Sequence, residues 1–220
     1  GLDINGAGYG YCIYVGNTTD CFVIQNNYLH DAYAGNCDYM YYANAGITLY
    51  NVENGAVVGN EIDSNFCFGI LLYDSSGNVI QENNVTNNEY GIYLEDSDFN
   101  EVSYNYVSFN LECGIAADDS DYNEISFNTA DYNAIGIYVN DASNTLVTQN
   151  LAFYNDYGLY FEDATENTAT NNSLCLSINY GVYLDYDSAY NEIYHNNFGN
   201  NNAHAYDEGT GNSWHNGYPD

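Results

Sequence analysis

The stretch Tyr90-Gly91-Ile92-Tyr93-Leu94-Glu95-Asp96-Ser97-Asp98-Phe99-Asn100, with the run EVSYNYVSFN at 101–110, decides the fold. Ile92 and Leu94 stand two apart, as side chains sharing one face of a β-strand do. Val102 and Val107 each sit inside a short polar run, and Asn105 and Asn110 close those runs. A period of two, with so much Asn, argues against helical repeats.

The pattern recurs along the chain. Gly followed by an aliphatic residue stands at Gly46, Gly69, Gly91, Gly114, Gly136, Gly158 and Gly181, at spacings of 22 or 23. One residue after each Gly come Ile47, Ile70, Ile92, Ile115, Ile137, Leu159 and Val182, and three after come Leu49, Leu72, Leu94, Ala117, Val139, Phe161 and Leu184. Further apolar positions recur eleven residues on (Val57, Ile80, Val102, Ile125, Val147, Ala169) and sixteen on (Ile62, Val85, Val107, Ala130, Ala152, Leu174). Each repeat thus holds about three short strands, none able to bury its face alone, and stacking neighbours is the remedy.

Asparagine marks the bends. Fourteen residues after Gly stand Asn60, Asn83, Asn105, Asn128, Asn150 and Asn172, and nineteen after stand Asn65, Asn88, Asn110, Asn133 and Asn155. Asn tolerates left-handed backbone, which suits bends between strands. Stacked Asn side chains can bond up and down the pile as a ladder and satisfy turn amides. The expected fold is all-β, a single-stranded right-handed parallel β-helix solenoid of 9–10 coils of 22–23 residues covering 1–220. At about 4.8 Å per coil that is a rod on the order of 45 Å long. The spacing before Gly46 is longer by a dozen residues, which places a Tyr-rich loop insertion at 33–44.

The motif Tyr90-Gly91-Ile92-Tyr93-Leu94, followed by Asp96-Ser97 and Asn100, resembles the parallel β-helix repeat family. That family includes NosD-like proteins and the carbohydrate-binding and sugar-hydrolase β-helices, as in archaeal surface proteins. Ala205-Tyr206-Asp207-Glu208-Gly209 and Asn212-Ser213-Trp214 are similar to its end-of-helix signature. The resemblance covers almost the whole chain and implies the fold. It carries no catalytic motif onto particular residues.

Charge narrows the partners. The 220 residues include no Lys or Arg and 31 Asp plus Glu, a formal net charge of −31. Nucleic acid and anionic membranes need cations on the protein and are excluded. The 27 Tyr and 9 Phe are too many for a disordered tail. Six Cys are compatible with an oxidising compartment, without a readable connectivity. The chain opens in mid-pattern at Gly1-Leu2-Asp3, as expected of a fragment or mature piece of something longer.

Candidate chemistry follows the columns. Five residues after Gly stand Asp74, Asp96, Asp119, Asp141 and Asp163, flanked by Glu95, Asp118, Glu162 and Asp185. They are either turn caps or oxygen ligands for a hard cation such as Ca²⁺; no cofactor is otherwise required. Two residues after Gly stand Tyr93, Tyr138, Tyr160 and Tyr183, an outward column interrupted by Ala116. Such a face can stack on sugar rings or pack against another rod. Asp118-Asp119 is the carboxylate pair with glycosidase-like spacing. His195, His204 and His215 lie near the C-terminus, apart from His30, and make the weaker copper or zinc candidate. Asn17, Asn84 and Asn171 head N-glycosylation sequons.

The leading functional reading is a non-catalytic, extracellular or cell-surface structural β-helix. With no amphipathic helix or charged cap visible at either end, the expectation is either that the chain continues in a longer parent protein or that copies stack end to end into fibres. The alternative is a carbohydrate-binding β-helix that uses the tyrosine column on glycans. A polysaccharide-cleaving enzyme is the weakest reading.

Overall fold

A three-residue strand gains stability only from neighbours on both sides, so each strand pairs with its equivalent one coil away. In the computed structural model, which describes residues 1–8, 10–33, 35, 37 and 44–215, such pairing produces three sheets of nine, nine and eight strands. Every pairing among named strands is parallel, and no helix occurs among the described residues. The chain is therefore a β-solenoid of about nine coils. Most of the 33–44 insertion lies outside the described residues.

One coil shows the rule. Strand Tyr90–Glu95 belongs to the long-strand sheet, Glu101–Ser103 to the second and Tyr106–Ser108 to the third. The next coil repeats them in register, with Ile92 beside Ile115, Leu94 beside Ala117, Val102 beside Ile125 and Val107 beside Ala130. All four apolar columns are buried, at 0–1% exposure, in one continuous core. Side-chain volumes compensate within a coil: Phe161, the largest buried side chain, shares its coil with Ala169. That is how a narrow core reaches close packing.

The glycine column is required by close approach rather than by backbone angle. A Cβ on Gly91 would lie 2.4 Å from the Gly114 carbonyl oxygen and one on Gly136 2.6 Å from that of Gly158. Neither glycine has a positive φ.

Three asparagine ladders run the length of the rod. In the first, the Asn83 backbone N–H and side-chain amide both donate to Asn105 Oδ1, at 2.9 and 3.0 Å. Asn105 donates likewise to Asn128, and Asn128 to Asn150. Each amide also donates back to a core-strand carbonyl, as Asn105 does to Ile80 O at 2.8 Å. The second ladder passes through Asn65, Asn88, Asn110, Asn133 and Asn155. A third, through Asn78, Asn100 and Asn123 and resuming at Asn167 and Asn191, was not singled out from sequence. Its signal is an Asn nine residues after Gly69, Gly91, Gly114 and Gly158.

The ladder asparagines do not themselves supply the left-handed backbone expected of them. The residue before each does: Glu82, Tyr104, Phe127 and Gln149 have φ of 56–57°, ahead of Asn83, Asn105, Asn128 and Asn150. The physical reason is that the Asn amide must turn inward to reach its ladder partners, so the bend falls on its predecessor. Aromatic residues at these corners stack along the rod, as Tyr104 on Phe127 (4.8 Å between centroids) and Phe109 on Tyr132 (4.9 Å). A left-handed conformation costs such residues about 1–2 kcal/mol, and face-to-face contact with the next coil offsets part of it.

Candidate functional site

The outer face of the long-strand sheet concentrates the chemistry. Its strands are five to eight residues long, so each exposes up to three side chains between bends: one just before the glycine, one two after it and one four after it. Parallel register turns these positions into columns. Tyr138, Tyr160, Tyr183 and Tyr206 pair in sequence along the rod. Tyr157 and Tyr180 stand beside them, and the rings form a herringbone, with Tyr157–Tyr160 at 5.3 Å, Tyr160–Tyr183 at 4.8 Å and Tyr180–Tyr183 at 5.5 Å.

The column expected to point outward is not uniformly open. Tyr93 is only 3% exposed, and Ala116 in the next coil is fully covered. Tyr93 leans along the rod and donates from its hydroxyl to Asp118 Oδ2, across the small Ala116 side chain. Its ring also meets Phe68 and Tyr90. A second apolar cluster therefore lies outside the sheet at this level. Tyr138 donates to Glu162 Oε2 one coil on. Tyr160 and Tyr183 remain partly accessible.

Carboxylates edge this face. Glu95 pairs in register with Asp118 and Asn140 with Glu162. The sequence pointed to Asp118-Asp119; the structure brings Glu95 and Asp118 onto one face instead, because Asp119 turns into the bend with φ of 47°. Asp118 also accepts from the Asn140 amide at 2.6 Å. Burial, followed by the charges of Asp118, Asp96 and Asp119, pushes the Glu95 carboxyl up to about 7. Burial also raises the Tyr160 phenol to about 12, and raises that of Tyr138 with help from its bond to Glu162.

This has a pH consequence. The native state holds the Glu95 proton to higher pH than the unfolded chain does, so stability is lost as pH rises from the ordinary value of 4.5 through about 7. Glu95→Gln is expected to stabilise the chain by about 1 kcal/mol above pH 8, after allowance for solvent screening of a half-buried group. Thermal melts from about pH 5 to about pH 8 check it. A wild-type profile that rises with pH over this window overturns it.

The column Asp74, Asp96, Asp119, Asp141 and Asp163 occupies the bend after this sheet, every member with φ of 44–49°. None of these five carboxylates accepts a hydrogen bond among the described residues; the turns are closed instead by hydroxyls such as Ser97 Oγ, which donates to Glu95 O at 2.7 Å. Burial and neighbouring carboxylates raise the Asp96, Asp119, Asp141 and Asp163 acids. Asp163 joins Asp185 and Asp187 in a group whose oxygens lie within 4.8 Å of one another, a donor set of the kind hard cations take.

The remaining candidates are dispersed. Asn17, Asn84 and Asn171 are all exposed. His30 is held between Asp3 at 2.9 Å and Asp31 at 2.8 Å, and the bond to Asp31 is the chief cause of its raised pKa. His195, His204 and His215 enter no three-ligand group among the described residues. Cys37 and Cys67 form a disulfide, while Cys12, Cys21, Cys113 and Cys175 are free.

The NosD family model, described as a periplasmic copper-binding protein, matches residues 3–150 and 108–219. No curated protein matches the chain in sequence. Among solved structures the chain is similar to the periplasmic alginate epimerase AlgG (20% identity, TM-score 0.64, covering 78% of this chain and 47% of that one). It is similar to the enzymatically active domain of tailspike protein 2 from bacteriophage CBA120 (13%, 0.69, covering 87% and 33%). It also resembles DFA-IIIase from Arthrobacter chlorophenolicus (13%, 0.60, covering 86% and 57%). These identities show a shared fold, and the chain spans about half the length of the epimerase.

Proposed function

This chain belongs to the NosD family of parallel β-helix proteins, and from that premise we propose that it binds polysaccharide along the outer face of its long-strand sheet, outside the cytoplasm. The observation that carries this reading is the Tyr138–Tyr160–Tyr183–Tyr206 column, edged by carboxylates, on one side of the solenoid. Tyrosine rings present apolar surface to sugar C–H groups and a hydroxyl to their oxygens. Carboxylates accept from sugar hydroxyls. A repeating ligand suits a repeating face. With a formal charge of −31 the chain favours neutral or amino sugars and repels polyuronates at low salt.

Retention on chitin and on cellulose tests this reading. Tyr160→Ala combined with Tyr183→Ala is expected to weaken binding at least tenfold, about 1.4 kcal/mol, with the fold intact by circular dichroism. Unchanged retention removes this face. A chain that binds neither polymer but forms filaments under electron microscopy returns the reading to a structural, end-to-end assembling β-helix.

A second reading is favoured by Glu95. A carboxyl titrating at about 7 beside Asp118 is placed to protonate a glycosidic oxygen. Equivalent positions on neighbouring parallel strands are about 4.8 Å apart, near the separation of about 5 Å used in retaining glycoside hydrolysis. Release of reducing ends from a glycan panel, abolished by Glu95→Gln, would establish it.

While Cys37 and Cys67 are joined, no three-ligand group among the described residues offers a donor set that matches the copper of the family description. Copper takes thiolate, thioether and imidazole ligands. The three-ligand groups among the described residues are Asp163/Asp185/Asp187, which offers only oxygen, and Cys37/Cys67/Glu89, whose sulfurs are joined to each other.

A further inference from the structure

The Cys37–Cys67 disulfide lies against a carboxylate that has nothing to gain from it. Glu89 Oε2 approaches Cys37 Sγ to 2.8 Å. A disulfide sulfur carries no proton and so offers this oxygen no hydrogen bond. On the other side, the Asn44 side-chain amide donates to Cys67 Sγ at 3.5 Å, both residues being buried. An N–H directed at sulfur is the outer contact that steadies a metal-bound thiolate. The three donor atoms lie within 4.8 Å of one another, and the two cysteine Cα atoms are 5.6 Å apart. Rotation of the two side chains can then bring both sulfurs to about 2.3 Å, and the carboxylate to about 2.1 Å, from one tetrahedral ion.

We propose that Cys37, Cys67 and Glu89 form a redox-gated site for a thiophilic d¹⁰ cation, with Zn²⁺ as its probe. A dithiol reductant delivers two electrons and two protons to the disulfide, breaking the S–S bond and leaving as its own disulfide. Zn²⁺ displaces the two thiol protons and binds two thiolates, the Glu89 carboxylate and one water. A disulfide oxidant reverses the process: it accepts two electrons, the Cys37–Cys67 bond reforms and the ion is released. The site joins the insertion at Cys37 to the coil that starts the long-strand strand Phe68–Tyr73, so the ion would replace the covalent staple rather than add a second one.

Zn²⁺ affinity, measured by chelator competition and by the charge-transfer band of substituted Co²⁺, tests the site. The background carries Cys12→Ala, Cys21→Ser and Cys175→Ser, and anaerobic reduced and oxidised samples of the same chain are compared. The reduced chain is expected to bind one Zn²⁺ at least 100-fold more tightly than the oxidised chain, with a thiolate–Co²⁺ band. Glu89→Gln should weaken binding about tenfold without abolishing the band. Equal affinity in the two redox states, or a reduced chain without the band, overturns the proposal. The oxidised chain is the principal control, so the result does not depend on the folding of any variant that lacks Cys37 or Cys67. Glycan retention plays no part in it, and its outcome is independent of the polysaccharide reading.

Discussion

Replacing Asn105 and Asn128 together by alanine is expected to lower stability by about 5 kcal/mol or more, enough to unfold a domain of ordinary stability at room temperature. The size follows from what each amide holds. Asn105 Oδ1 receives the backbone N–H and the side-chain amide of Asn83, while its own amide donates to Ile80 O and to Asn128 Oδ1. Asn128 repeats this with Asn105, Val102 O and Asn150 Oδ1. All of these groups are buried, with Asn105 at 2% and Asn128 at 0% exposure. Alanine leaves backbone donors and acceptors in the core with no partner, and each such orphan costs about 1–3 kcal/mol. The losses fall on adjacent rungs, so the pair should depart from additivity. Chemical denaturation of both single variants and the double variant measures it; a double variant as stable as the wild type refutes a stabilising role for the ladder.

Gly136→Val should be as damaging, by a different route. A Cβ at residue 136 would sit 2.6 Å from Gly158 O and 2.8 Å from Asn155 Nδ2. The first is backbone in the middle of a sheet and the second a rung of the second ladder, so neither neighbour can give way cheaply. Relief requires prying two coils apart, which breaks the pairing of strand Ile135–Asn140 with Tyr157–Glu162. Overpacking of this kind costs about 1–3 kcal/mol in a deformable core, and more is expected here because backbone is the obstacle. Melting temperature reports the loss. Hydrogen exchange should place the new opening at these two strands, and an unaltered exchange pattern would contradict the close-approach argument.

The pattern of orphaned groups also explains why most of the fold was legible. Each strand's inward residues are apolar at alternate positions, and the ladder amides recur at fixed distances from glycine, so the sequence carries both halves of the stacking rule in plain form. The third ladder is less regular: Thr145 interrupts the run between Asn123 and Asn167, and Asn191 stands ten rather than nine residues after Gly181. The corner aromatics are readable too, one residue before a ladder Asn, once it is clear that the bend falls there.

The candidate site was less legible, for a physical reason. Periodicity tells which residues share a column, and on that basis Tyr93, Tyr138, Tyr160 and Tyr183 belong together. It does not say how far a long side chain leans. Tyr93 closes over Ala116 to reach Asp118, while Tyr160 and Tyr183 stay partly open, and that difference depends on the size of the residue one coil away. Likewise, Asp118 and Asp119 are neighbours in sequence but part at the bend, whereas Glu95 and Asp118, 23 residues apart, become neighbours.

The sequence by itself determined the coil length, the apolar columns, two of the three ladders and the anionic character, because each follows from local composition repeated at a fixed interval. Only the tertiary structure decided that Glu95 faces Asp118, that Cys37 joins Cys67 beside Glu89, and that the left-handed residue precedes the ladder asparagine. Those features depend on contacts between coils, where separations of 20 or 30 residues collapse to one strand spacing of about 4.8 Å.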